Sequence, residues 1–180
     1  YNLTERFKQK GGFCMKNIFK INGKKSLKLI LYSLIITYIV PFIAIFISKD
    51  DINIYNELIK PSFAPPSKVF PIIWGVLYFF MAIAFYRILL LRDQGKNIKN
   101  AKKYYLIQLF LNFIWIILFF KLRLYGLAFI ELLILLIFIL LTTFQFYSVD
   151  KLASFLMIPY IIWVCFAGVL NFYIWVFNEM

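Results

Sequence analysis

Five long stretches of this chain run with few polar residues. Leu27–Ser48 covers 22 residues, Val69–Leu91 23, Tyr104–Phe120 17, Gly126–Tyr147 22 and Leu152–Phe177 26. None has the strict alternation that a membrane β-strand requires. At about 1.5 Å of rise per residue, such runs cross a hydrocarbon core of about 30 Å, the third only marginally. The pattern predicts an all-α integral membrane protein, a bundle of five transmembrane helices over residues 27–180, with spans at about 27–48, 69–91, 104–120, 126–147 and 152–177. Pro71 falls in the first turn of the second span, where a missing N–H costs nothing. The first run is too long for a signal-peptide core, and no A-x-A cleavage pattern follows it.

Composition agrees with this pattern. Hydrophobic residues make up 63% of the 180 residues and charged ones 16%, against roughly 45–50% and 25% in soluble domains. A water-soluble domain of this size could not hide so much apolar surface. Residues 1–26 form a basic N-terminal segment. Met15 opens MKNIFKINGKKSLK and reads as a natural start, which would make residues 1–14 a non-native extension.

The net charge of +12 would suggest nucleic acid in a soluble protein. In a membrane protein it reports orientation, and no nucleic-acid partner is expected. Eight Lys and Arg lie in residues 1–28, five in 92–103 and one in 148–151, while Lys49, Lys60, Lys68, Lys121 and Arg123 lie on the opposite side. The positive-inside rule puts the N-terminus in the cytoplasm and the C-terminus outside. Richness in Ile, Lys, Asn and Phe suggests a bacterial cell membrane.

The chain has two cysteines, Cys14 and Cys165, and no histidine. That leaves no four-ligand zinc site, no His-based catalytic pair and no His ligand for haem iron, so no metal site is expected. Cys14 lies in the basic segment and Cys165 inside an apolar run, which argues against a disulfide between them.

Polar and aromatic groups inside the spans carry the functional signal. Gln108 and Asn112 are four residues apart on one helix face, which Trp115 and Phe119 continue. Trp74 and Tyr78 are likewise four apart, and Trp163, Ala167 and Asn171 repeat at the same interval. Counting helical rise from the outer ends, Trp74 and Trp115 lie about 7.5 Å deep, Asn112 about 12 Å and Ala167 about 15 Å. Trp163 falls near the middle. Such convergence has the composition of a pocket for a flat, largely apolar ligand with a few polar edges. Each residue also has a plainer reading: Trp74 as an interfacial anchor, Asn112 and Gln108 as interhelical glue, Trp163 as packing.

Two charges fall within the spans. Arg87, four residues from the end of its helix, is expected to snorkel to the surface. Glu131 lies in the layer of Trp74 and Trp115, either neutral or paired with Arg123 or Lys121, and a structural and a functional role are equally open. These two do not make an ion path, and no repeated halves are visible. The longest connection, Lys49–Lys68, holds the rigid cluster PSFAPPS at 61–67. It is either a cover over a binding site or a passive linker.

Four segments in order resemble the TspO/MBR family, which includes the tryptophan-rich sensory proteins and the translocator protein (peripheral benzodiazepine receptor). PSFAPPSKVFPIIWGVLYFFMAIAFYRI at 61–88 resembles PSWAPPxWVFGPVWTxLYxxMAIA, and QLFLNFIWIILFF at 108–120 resembles QLxLNxxWxxLFF. GLAFIELLIL at 126–135 resembles GLALxExxLL, and PYIIWVCFAGVLNFYIWVFN at 159–178 resembles PYLxWxxFAxxLNxxxWxLN. The resemblance implies a five-helix bundle, commonly a homodimer, whose ligands are porphyrins and, for some members, cholesterol and benzodiazepine-type drugs. It carries the family's pocket positions onto Trp74, Asn112, Trp115, Trp163 and Ala167, adds Tyr78 to the cavity wall, and makes Pro61, Phe63, Ala64, Pro65 and Pro66 a lid.

There are departures from the family pattern. Phe63 and Lys68 stand where the family has Trp, which thins the aromatic lid and adds a cation able to meet a propionate. No Lys or Arg follows Tyr173, so the sterol motif of animal members is not supported. Without His, metal-free protoporphyrin is the expected ligand, with no separate cofactor required. The resemblance thus implies a membrane receptor for protoporphyrin-type tetrapyrroles, regulating tetrapyrrole levels or a stress response. Two alternatives are a transporter of porphyrin or another lipophile, and a catalyst of light- and oxygen-dependent protoporphyrin degradation with Trp74 and Trp163 as redox participants. The chain offers no acid–base machinery, which weighs against the enzymatic alternative.

Overall fold

Lipid leaves a backbone polar group no partner but its own chain, so an apolar run of 20 or so residues becomes a helix. The computed structural model describes residues 18–49 and 54–180. Five helices are long and apolar enough to span a membrane: α1 (Leu27–Ile47), α2 (Val69–Arg92), α3 (Lys99–Ile116), α4 (Tyr125–Val149) and α5 (Lys151–Asn178). A π-helical stretch, Ile117–Lys121, extends α3, and a single helical turn, Ile54–Glu57, lies between α1 and α2. Among the described residues there is no strand beyond one isolated bridge, Ile21 to Lys24. The chain is a multi-pass integral membrane protein by the length and composition of these helices. Residues 1–14, the expected extension, and with them Cys14, lie outside the described residues.

Two caps set the helix starts. The Ser26 side chain accepts from the Leu29 N–H, and the Asp150 carboxylate accepts from the Ala153 N–H, each satisfying an orphan donor at a first turn. Asp150 alone separates α4 from α5, so these helices form a tight antiparallel pair. α4 also packs along α3, α2 packs on α5, and α1 leans on α2 and α3. Much of α1 faces outward, with Leu31, Ile35, Ile39, Phe42 and Phe46 exposed.

One end of the bundle is solid. Phe85 of α2 stacks on Tyr105 of α3 at 4.2 Å between ring centroids, and Tyr105 stacks on Phe146 of α4 at 5.8 Å. The Tyr105 and Thr37 hydroxyls lie 2.6 Å apart, tying α1 to this stack. All of these side chains are fully buried.

The structure departs from the sequence reading in three places. α3 begins at Lys99 rather than 104, because Lys102 and Lys103 can extend their charges away from the apolar core without ending the helix. The π-helical stretch, with the Leu122 N–H bonded to the Ile117 carbonyl at 2.9 Å, leaves no trace in the hydrophobic pattern. Arg87 does not snorkel. It is 3% exposed, pairs through Nε with Asp150 Oδ2 at 2.5 Å and donates from a terminal nitrogen to the Ile18 carbonyl at 2.8 Å. A nearby carboxylate at the α4–α5 corner made burial cheaper than extension.

Candidate functional site

The opposite end of the bundle is hollow. A cavity of about 150 Å³ lies between α1, α2, α3 and α5. Trp74 and Tyr78, one turn apart on α2, put their rings 5.4 Å apart at 28°, an offset stack. The Trp115 ring of α3 lies 6.4 Å from Trp74 at 33°. The two indoles read from sequence as sharing a depth are therefore neighbours in the cavity wall. Ala167 and Asn171 of α5, Pro41 and Ile45 of α1, and Phe70 near the start of α2 complete much of the wall.

The π-helical stretch matters here. Phe119 and Phe120 are consecutive, yet both line the cavity. At 3.6 residues per turn, neighbours diverge by about 100°. The two rings meet edge-on with centroids 5.0 Å apart, and π-turns recur at functional sites.

Polar atoms around the cavity are engaged with one another. The Tyr78 hydroxyl donates to Asn112 Oδ1 at 2.5 Å, and Asn112 Nδ2 donates to the Tyr160 hydroxyl at 3.3 Å. Trp115 Nε1 donates to Asn171 Oδ1 at 3.0 Å, and Asn171 Nδ2 donates to the Tyr125 carbonyl at 2.8 Å. These two relays engage the Tyr78 hydroxyl and the Trp115 indole N–H and leave a largely apolar, aromatic surface toward the cavity.

Asn112 and Trp163 do not line the cavity. Asn112, 1% exposed, holds Tyr78 from behind. Trp163 packs edge-on against the cavity-lining Phe70, with ring centroids 5.9 Å apart, and its buried Nε1 has no hydrogen-bond partner. The lid is also arranged differently. Phe63 sits on the side of α5, in edge contact with Phe166 and Tyr173, and none of Pro61, Phe63, Ala64, Pro65 and Pro66 lines the cavity. Tyr55 and Ser67 line it instead.

Tyr55 closes the mouth. It is 5% exposed, donates its hydroxyl to the Pro65 carbonyl at 2.9 Å and meets Phe70 edge-on at 4.9 Å. Lys60 Nζ stands 5.0 Å from the Tyr55 ring centroid and donates to the Tyr55 and Leu58 carbonyls. Ile59 and Asn178 exchange two bonds of 2.9 Å each, pinning the loop to the end of α5. Burial pushes the Tyr55 hydroxyl from 10.0 up to about 12, so it stays a neutral donor across the ordinary range.

Glu131 pairs with neither Lys121 nor Arg123. It is 7% exposed, both carboxyl oxygens lack a hydrogen-bond partner, and Lys121 Nζ donates to the Ile47 carbonyl. The Gln108 amide is also buried and unpartnered. Cys165 is a free, exposed thiol. Among the described residues, no three metal-ligating side chains come together.

Some of the wall had a sequence signal and some had none. Phe70 precedes Trp74 by four residues, and Asn171 follows Ala167 by four, so helical spacing reaches both. Tyr55 lies in a single four-residue helical turn, too short for periodicity to apply. Phe120 follows Phe119 directly, a spacing that singles out no helix face.

The sequence profile of the TspO/MBR family matches residues 19–176. The chain is 34% identical over 124 residues to Protein CrtK of Rhodobacter capsulatus, covering 69% of this chain and 78% of the relative. It is 36% identical over 118 residues to the Tryptophan-rich protein TspO of Chlorobaculum tepidum, covering 66% and 75%. The human Translocator protein is 34% identical over 133 residues, covering 72% and 78%.

Proposed function

This chain belongs to the TspO/MBR family, and we propose that it is a membrane receptor for protoporphyrin-type tetrapyrroles, which it binds against Trp74, Tyr78 and Trp115. The observation that carries this reading is the continuous aromatic wall, with Trp74 offset-stacked on Tyr78 and facing Trp115. A tetrapyrrole is flat and mostly apolar, so stacking and burial supply its affinity. Because the Tyr78–Asn112 and Trp115–Asn171 bonds are already made, the macrocycle needs no polar partner within the wall. Its carboxylates stay at the mouth, where the exposed Lys68 follows the cavity-lining Ser67.

The cavity of about 150 Å³ is smaller than the roughly 300–1,000 Å³ of sites for drug-sized ligands. A macrocycle therefore enters only when the turn bearing Tyr55 swings aside. Asn112 acts through Tyr78, and Trp163 acts by supporting Phe70. The chain has no His to ligate iron, which favours the metal-free ligand. The same proposal includes a homodimer in a bacterial cell membrane with the N-terminus cytoplasmic, to be checked by the mass of the solubilised species and by terminal reporter fusions.

The test is titration of the detergent-purified protein with protoporphyrin, in the dark and illuminated, with product analysis. Saturable quenching of Trp fluorescence in the dark, lost in a Trp74→Phe, Trp115→Phe variant, is the expected result. Unchanged binding by that variant overturns the site. New pigments formed only under light would make the protein a degradation catalyst, and liposome flux that requires the wall residues would make it a transporter.

A further inference from the structure

We propose that the end of the bundle opposite the cavity is a preformed docking face for anionic phospholipid headgroups. The face begins with a two-residue hairpin. The Ile21 N–H bonds to the Lys24 carbonyl at 3.0 Å and the Lys24 N–H to the Ile21 carbonyl at 2.9 Å. Asn22 and Gly23 hold φ of 51° and 77° between them, the left-handed pair for which Asn-Gly is the preferred sequence.

The hairpin is held in place. The Tyr86 hydroxyl donates to the Phe19 carbonyl at 2.8 Å and accepts from the Ser26 N–H at 3.3 Å. Arg87 donates to the Ile18 carbonyl, and Asn22 Nδ2 donates to Gln94 Oε1 at 2.8 Å. Lys96 Nζ reaches the Val149 carbonyl at 2.8 Å, and Asp150 returns to Arg87. These contacts form a closed circuit: hairpin, α2–α3 loop, α4–α5 corner, Arg87, hairpin. Tyr86 and Arg87, which anchor it, are buried.

On this frame Lys20, Lys24 and Lys25 in and beside the hairpin, Lys96 of the loop, Lys99 at the start of α3, and Lys151 of the corner are exposed. Among the described residues only two acids share this end, and both are spent in ion pairs: Asp150 with Arg87 and Asp93 with Arg92. The charge is therefore one-sided, and the lysines are carried on connected segments.

Neighbouring apolar residues identify the partner as lipid. Ile18 and Phe19, directly before Lys20, are 43% and 41% exposed, and Leu27, two residues after Lys25, is 70% exposed. Lysines flanked by outward apolar side chains at the start of a spanning helix sit where acyl chain meets headgroup. A soluble phosphate or a nucleic acid would have no use for the apolar part. Each basic residue near an anionic membrane surface contributes about 1 kcal/mol, roughly a fivefold effect.

The experiment uses the full chain in detergent, titrated with short-chain phosphatidylglycerol or phosphatidylcholine and read by native mass spectrometry and thermal midpoint. The expected result is retention of phosphatidylglycerol over phosphatidylcholine by at least about tenfold, lost at high salt as screening predicts. A Lys20→Gln, Lys24→Gln, Lys25→Gln variant should bind phosphatidylglycerol roughly 100-fold more weakly, while the corresponding triple Arg variant retains the preference. Equal retention of the two lipids, an unchanged preference in the Gln variant, or full competition by inorganic phosphate would each overturn the proposal.

Discussion

Trp115 Nε1 donates to Asn171 Oδ1 at 3.0 Å, joining α3 to α5 at the depth of the cavity. Asn171 in turn donates to the Tyr125 carbonyl at the start of α4. One buried amide thus holds three helices together and fixes the angle at which the Trp115 ring faces the ligand space. Asn171→Leu leaves the Trp115 indole N–H without a partner, at about 1–3 kcal/mol for a buried orphan, while the Tyr125 carbonyl, in the first turn of α4, keeps its helical bond. The thermal midpoint should fall by several degrees, with a change in Trp emission.

Trp74 carries the wall of the cavity through its stack on Tyr78. Trp74→Ala removes both the stacking and the apolar area, so the protoporphyrin Kd should rise at least tenfold, about 1.4 kcal/mol. Trp74→Phe should lose less. Fluorescence titration of the two variants beside the native chain checks the order.

The closed mouth should depend on alkaline pH. Buried Tyr55 keeps its proton up to about 12, whereas an exposed tyrosine loses it near 10.0. The closed state therefore has its full stability below about pH 10 and loses it as the pH rises towards 12, because the open form sheds its proton first. Protection factors for hydrogen exchange across residues 54–68, which correct for the intrinsic rise of exchange with pH, should fall over that window relative to those of the spanning helices. Tyr55→Phe should flatten the dependence while loosening the loop at every pH, since it removes the bond to Pro65.

Asp150 does two jobs, capping α5 and neutralising the buried Arg87. Asp150→Ala strands a buried guanidinium and should cost about 3–5 kcal/mol. Asp150→Asn keeps the cap and should cost less. Thermal unfolding of both variants in one detergent separates the charge from the cap.

Gly126 allows α4 and α5 to approach each other. A Cβ there would lie 2.5 Å from Trp175 Nε1 and 2.7 Å from its Cε2, which a rigid indole can relieve only by moving. Gly126→Ala should destabilise by about 1–3 kcal/mol, seen as a lowered thermal midpoint.

The number and order of the helices were determined by sequence alone, because in lipid a long apolar run has one way to satisfy its backbone. The pairing of Trp74 with Tyr78 on one face of α2 was legible for a similar reason, since a spacing of four is fixed by the helix itself. How each helix is rotated toward its neighbours is a property of the packed bundle, and tertiary structure alone set Asn112 behind Tyr78 and Trp163 behind Phe70. It also decided that Tyr55 rather than the Pro-rich segment reaches the cavity, that both Phe119 and Phe120 line it, and that Arg87 turns inward to Asp150. These outcomes rest on contacts between residues distant in sequence, where neither periodicity nor composition constrains the partner.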